Sequence, residues 1–219
     1  MNTEQPTSAE SPASPTNEQF WDERYRSAAM IWSGHPNLHL VTDAAGLPPT
    51  TALDIGAGEG ADAIWLAQRG WQVTAVDISS VGLGRARAQA EQQGTDVAGR
   101  ITWVHADLTT WAPPIGAFGL VTAQFMHLPA TQRDPLFSRC IAAVATGGTL
   151  LLVGHDESDL ETTVRRPPSR DLYFHAGDVA ATLGDGWTVT EAGTRARTAA
   201  DASGAEVTIH DAVLVARRS

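Results

Sequence analysis

Three glycines at alternate positions, Gly56, Gly58 and Gly60, follow the apolar residues Ala52, Leu53 and Ile55, and a carboxylate, Asp54, stands two residues before the first glycine. Glycine permits tight turns and lets a ligand approach with no Cβ in the way, so the stretch predicts a nucleotide-binding turn between a buried strand and a helix. A second apolar run, Trp71 to Val76, ends on Asp77, where an acid about twenty residues beyond the glycines would bind a ribose hydroxyl pair. The spacing here is G-x-G-x-G, whereas dinucleotide folds carry G-x-G-x-x-G. A carboxylate at position 54 also suits a cationic ligand better than a pyrophosphate. His127 and His155 follow later apolar runs and are the candidates to accept a proton near neutral pH. No metal site is expected.

These groups meet only if their strands end at a common edge. The pattern predicts strands at 51–55, 71–76, 101–104, 118–123 and 149–154, alternating with helices near 61–69, 79–93 and 131–147, the last with Pro135 in its first turn. Two more strands, 187–192 and 206–216, follow a short helix near 177–183. Alternation of this kind implies a parallel sheet with helices on both faces, whose ligands bind beyond the carboxyl ends of the strands. Upstream, Phe20, Trp21 and Tyr25 fall on a helix that begins at Glu18, Trp32 falls in a loop, and a short helix runs from about Asn37 to Ala45. Residues 1–17 are rich in Ser, Thr, Pro and Glu, cannot bury enough surface to offset their ordering entropy, and are expected to be disordered. The segment from Asp156 to Phe174 has little periodicity and is expected to act as a lid.

The string L-D-I-G-A-G-E-G followed by V-T-A-V-D resembles the first two motifs of the class I S-adenosylmethionine (SAM) methyltransferases. F-W-D-E-R-Y, W-S-G-H-P-N and A-Q-F-M-H-L-P resemble the small-molecule branch that includes tellurite-resistance and thiopurine methyltransferases. The resemblance spans about Glu18 to Arg217 and implies one domain, 18–219. That domain would have a Rossmann-like, doubly wound, mostly parallel seven-stranded α/β sheet with an antiparallel last strand. It further implies SAM as cofactor and S-adenosylhomocysteine as product. Asp77 and Ile78 would lie at the ribose, Gly56, Ala57 and Gly58 against the methionine portion, and Asp54 at its ammonium group. Asp107 and Leu108 would hold the adenine, Gln124 would offer a carbonyl near the amino acid, and Trp21, Tyr25 and Trp32 would fold over the pocket. Independently of the resemblance, His155 and His127 remain the catalytic candidates because they fall at the same sheet edge. The alternatives are an NAD(P)-dependent oxidoreductase and a noncatalytic SAM-binding regulatory protein.

Composition narrows the partners. A net charge of −10 with no lysine disfavours nucleic acid and leaves a small molecule as the expected substrate. Cys140 is the sole cysteine and recurs at helical spacing with Phe137, Ile141 and Val144, which predicts a buried core thiol. With no apolar run of membrane-spanning length and no signal-peptide pattern at the N-terminus, the expectation is a cytoplasmic protein, monomeric or homodimeric, that binds no membrane.

Overall fold

The apolar run before the glycines forms β1 (Thr51–Ile55), buried from Ala52 onward, as a strand covered on both faces must be. The computed structural model describes residues 17–164, 166–167, 169–201 and 203–219. The described residues complete the sheet with β2 (Gln72–Asp77), β3 (Ile101–His105), β4 (Phe118–Gln124), β5 (Val144–His155), β6 (Trp187–Ala200) and β7 (Glu206–Arg218). In space the order is β3-β2-β1-β4-β5-β7-β6. The first five strands are parallel, and β7 runs antiparallel to both β5 and β6. This is the expected doubly wound α/β fold, and the strand order reverses between β1 and β4, where sheets of this kind bind ligands.

Helices cover both faces. On one, α6 (Ala130–Ala143) packs Leu136, Phe137 and Cys140 against Leu53, Val121 and Leu150. On the other, α3 (Ala61–Gln68) lays Ile64, Leu66 and Ala67 against Ala52, Leu120 and Leu151. Cys140 is fully buried, and burial pushes its thiol up to about 12, so it is the core residue its spacing implied. The remaining helices are α1 (Glu18–Arg26), α2 (Leu38–Ala44), α4 (Ser80–Gln92), α5 (Thr95–Ala98) and α7 (Ala176–Ala180).

Several boundaries differ from the sequence reading. Residues 1–16 of the expected tail lie outside the described residues, and Asn17 caps α1 by accepting the Phe20 N–H at 2.8 Å. The short α5 has no counterpart in the hydrophobic pattern because none of its residues is buried. Helix α6 stops at Ala143, with Pro135 past its first turn, since Val144 already pairs with Phe118 across a bulge that opens β5. Strand β6 does not end at Ala192; it pairs with β7 as far as Ala200 opposite Glu206. Its half-buried face carries Glu191, Arg195 and Arg197 in place of apolar residues, so hydropathy alone missed its second half.

The segment after β5 is also not loose. It forms short 3₁₀ turns at Glu157–Glu161 and Arg170–Leu172, and Asp159, fully buried, pins it to β7. Its carboxylate accepts from the His210 N–H at 2.8 Å, the His210 ring at 3.0 Å and Arg166 Nη2 at 2.8 Å. Arg133 donates to the Tyr173 carbonyl at 2.6 Å, and Phe174 meets Phe137 edge to face. Asp159→Ala should therefore cost about 3–5 kcal/mol, the range for losing one partner of a buried pair. It should also speed amide exchange across 157–174, and wild-type exchange rates in the variant would contradict this anchoring role.

Candidate active site

At the turn after β1, Gly56, Gly58 and Gly60 have φ of 74°, 53° and 84°, the left-handed region that favours glycine. A Cβ at Gly56 would lie 2.3 Å from Met126 Sδ, and one at Gly58 would lie 2.7 Å from the Tyr25 hydroxyl. Space and backbone together therefore demand glycine. The turn is tied to the acid that ends β2: the Gly58 N–H donates to Asp77 Oδ2 and the Ser79 N–H to Oδ1, both at 2.8 Å. A carboxylate oxygen has two lone pairs, so Asp77 is fixed in place and still able to accept from a ligand.

The turn opens on a cavity of about 620 Å³, and every residue singled out above for binding or catalysis lines it. No described residue of 156–174 does, so the described part of the expected lid segment stands apart from the pocket. Asp54 is 2% exposed and its Oδ2 has no hydrogen-bond partner. Burial, reinforced by the charges of Asp62 and Asp77, pushes its carboxyl well above the usual range. Burial raises Asp62 to about 6, although its Oδ1 accepts the Asn37 N–H at 2.6 Å, and it raises Asp77 as well. Among the described residues, none of the three acids forms an ion pair with an arginine. Desolvated carboxylates of this kind favour a bound cation. Asp107, exposed, holds its own turn through the Thr109 N–H and hydroxyl at 2.8 and 2.7 Å.

One wall is aromatic. Tyr25 is buried and accepts from Trp32 Nε1 at 3.1 Å, with the Trp21 ring 6.2 Å from Tyr25 and 6.5 Å from Trp32. Two acids that the sequence reading passed over hold this wall down. Glu59, within the glycine turn, accepts the N–H groups of Ile31 and Trp32 at 3.1 Å each and pairs with Arg85 at 2.9 Å. Asp22 accepts the Ser79 hydroxyl at 2.6 Å, joining α1 to the loop that carries Asp77.

The far end of the cavity has a different chemistry. The His127 and His155 rings stack at 5.3 Å, and Phe125 lies 4.6 Å from His155. Phe125 has φ of 52°, an uncommon, strained backbone for a residue with a Cβ, and its ring is also 5.9 Å from the Arg197 guanidinium. Burial, then the charges of His155 and Arg24, lower His127 to about 4, so it is uncharged at neutral pH. Behind His155, the fully buried Asp211 accepts from His39 Nε2 at 2.9 Å and from Arg197. His39, Arg197 and Asp211 were not read from the sequence. The available signal was an acid that interrupts the apolar run of β7.

Residues 52–148 match the family model described as a methyltransferase domain. The matched stretch resembles a methyltransferase domain and is less than half of the chain. The chain is 34% identical over 125 residues to an uncharacterized methyltransferase of Mycobacterium tuberculosis, an alignment that covers 56% of this chain and 59% of that protein. The chain thus spans less than two thirds of that relative's length. Its fold is similar to TehB from Haemophilus influenzae, with a TM-score of 0.63, 17% identity, and coverage of 92% of this chain and 67% of that one. It is also similar to the magnesium protoporphyrin IX methyltransferase of Synechocystis, solved with bound S-adenosylhomocysteine. There the TM-score is 0.60, the identity 23%, and the coverage 82% and 78%. Among the described residues no helix is long and apolar enough to cross a membrane.

Because the folded-state value of Asp62 stands near 6 against 3.8, the stability it contributes is full below its unfolded value and is lost as pH rises through about 6. Asp54→Asn removes the neighbouring charge. It should raise the melting midpoint of the ligand-free protein at pH 7 by a few degrees and leave the midpoint at pH 4 nearly unchanged. A lower midpoint at pH 7 would show that the Asp54 charge is not the source of strain.

Proposed function

We propose that the chain is a SAM-dependent methyltransferase that transfers a methyl group in line to a small-molecule acceptor. The observation that carries this reading is the set of three carboxylates, the buried Asp54 and Asp77 and the half-buried Asp62, that face one cavity with no arginine paired to any of them among the described residues. A ligand with an ammonium and a sulfonium supplies the missing positive charge. The pyrophosphate of a nicotinamide dinucleotide would add negative charge beside Asp54, which sets the oxidoreductase reading aside. The S-adenosylhomocysteine in the Synechocystis relative supports the same ligand.

Asp54 and Asp62 would hold the ammonium group, and Asp77, already oriented by two N–H donors, would take the ribose hydroxyls. The bare glycine turn would lie against the methionine portion, Asp107 and Leu108 at the adenine, and Gln124 near the amino acid. Bound there, SAM supplies an activated methyl group whose carbon–sulfur bond breaks as the acceptor atom bonds the carbon. Holding two reactants in line can supply roughly 7–11 kcal/mol of barrier reduction, and the wall of Trp21, Tyr25 and Trp32 would exclude water. For a hydroxyl acceptor, His155 would take the departing proton, with His127 beside it as an uncharged hydrogen-bonding group. A thiolate or another soft nucleophile would need no base. The partner is a small molecule, not nucleic acid or membrane, and the protein acts in the cytoplasm as a monomer or homodimer.

Calorimetry should give micromolar dissociation constants for SAM and S-adenosylhomocysteine and no measurable binding of NADH; comparable binding of NADH would overturn the reading. Asp77→Ala should weaken SAM binding about tenfold to a hundredfold, as expected for hydrogen bonds to a charged group. An unchanged constant in a folded variant would remove Asp77 from the ribose.

A further inference from the structure

In the far half of the cavity a buried nitrogen without a partner faces a weakly engaged carboxylate oxygen. His155 Nδ1 is buried without a hydrogen bond, and it stands 3.6 Å from Oδ1 of Asp211, a carboxylate with no solvent exposure. The other oxygen, Oδ2, is already occupied by His39 Nε2 at 2.9 Å and Arg197 Nε. Among the described residues, Oδ1 accepts only a long hydrogen bond of 3.4 Å from Arg197 Nη2. Hydrogen bonds of this kind are commonly long in ligand-free sites and tighten when a ligand binds.

The protons can be assigned. Arg195 Nη1 lies 3.4 Å from His39 Nδ1, and a guanidinium only donates, so His39 Nδ1 bears the lone pair and Nε2 the hydrogen. His39 is therefore a neutral donor to Oδ2. A carboxylate only accepts, so the one hydrogen bond His155 Nδ1 can make with Oδ1 is as N–H donor. That leaves the His155 Nε2 lone pair as the basic atom on a ring that lines the cavity.

We infer that Asp211 is a positioning residue: it holds His39 and His155 in opposite tautomers on its two oxygens and thereby makes His155 Nε2 the proton acceptor for a hydroxyl substrate. The catalytic half of this statement rests on the methyltransferase reading above; the tautomer half does not. When the acceptor oxygen loses its proton to Nε2, the resulting imidazolium faces Asp211 through Nδ1–H, which stabilises it. The other groups around it are His127 and Phe125 from the loop after β4, His39 from α2 and Arg197 from β6. Arg197 opposes the imidazolium, and Asp211, whose Oδ1 stands 3.6 Å from His155 Nδ1, favours it. The proton returns to water after transfer, so the histidine is regenerated.

The test is long-range ¹⁵N–¹H correlation of the histidine side chains in the full chain labelled with ¹⁵N-histidine, with His39→Gln and His155→Gln providing assignments. Wild-type protein should show His39 as the Nε2–H tautomer and His155 as Nδ1–H. In Asp211→Asn the His155 signals should move toward averaging between tautomers. The rising limb of the pH–rate profile for methylation of a phenol should also move to lower pH, because the imidazolium loses its stabilising carboxylate, with the dissociation constant for SAM unchanged. If Asp211→Asn does not fold, the wild-type spectrum decides alone. An Nε2–H or averaged His155 in wild type overturns the inference even if SAM binds. Failure to bind SAM overturns the methyltransferase reading and leaves the tautomer result standing.

Discussion

Buried negative charge at one edge of a parallel sheet is the constraint on which this structure turns. Because β1 and β2 are parallel and in register, with Asp54 beside Ala75 and Ile55 beside Val76, acids near their carboxyl ends are delivered to the same edge. Asp62 joins them from the first turn of α3. Water is largely excluded, and backbone N–H groups from Gly58, Ser79 and Asn37 satisfy only part of the acceptor capacity. The ligand-free protein therefore tolerates a cost that a cation would relieve. Selective binding follows from that cost, since a neutral or anionic ligand of the same shape gains nothing from it.

Asp211 has the opposite environment although it is the same residue type and equally buried. Burial alone would raise its carboxyl, yet the surrounding histidines and Arg197 hold it well below the usual carboxylate range. One carboxylate is left with an oxygen that no described residue hydrogen-bonds, and the other accepts from His39 and Arg197. The cavity between them joins a charged half, built on the parallel strands, to an aromatic and imidazole half. That second half is built on the strained turn after β4 and on the extended pair β6 and β7. The aromatic wall from the N-terminal segment closes over the first half, and Glu59 and Asp22 anchor it to the glycine turn and to the loop of Asp77.

The parallel core was legible because its signals are local: apolar runs of strand length, glycines where left-handed backbone is needed, and acids at run ends. All the residues chosen on those grounds came together at one cavity. What stayed hidden depends on long-range pairing. Arg195 and Arg197 lie on the half-buried face of β6, where charge replaces the expected apolar alternation, so the strand seemed to end at Ala192. Glu59 gave no signal of its own because its partners, Ile31 and Trp32, lie in a different segment. Asp156 to Phe174 has the composition of a mobile loop, and it is Asp159 and Arg133, contacting residues distant in the chain, that anchor it.

The central claim is that the cavity's buried carboxylates exist to meet a cation, and proton linkage tests it most directly. Binding of SAM at pH 6 should release protons, because the cation drives Asp62, near half-protonated at about 6, and its raised neighbour Asp54 toward their charged forms. Calorimetric enthalpies in buffers of different ionisation enthalpy should therefore diverge at pH 6, and the proton release from Asp62 should fade by pH 8. Enthalpies that coincide at pH 6, or proton uptake on binding, would contradict the claim.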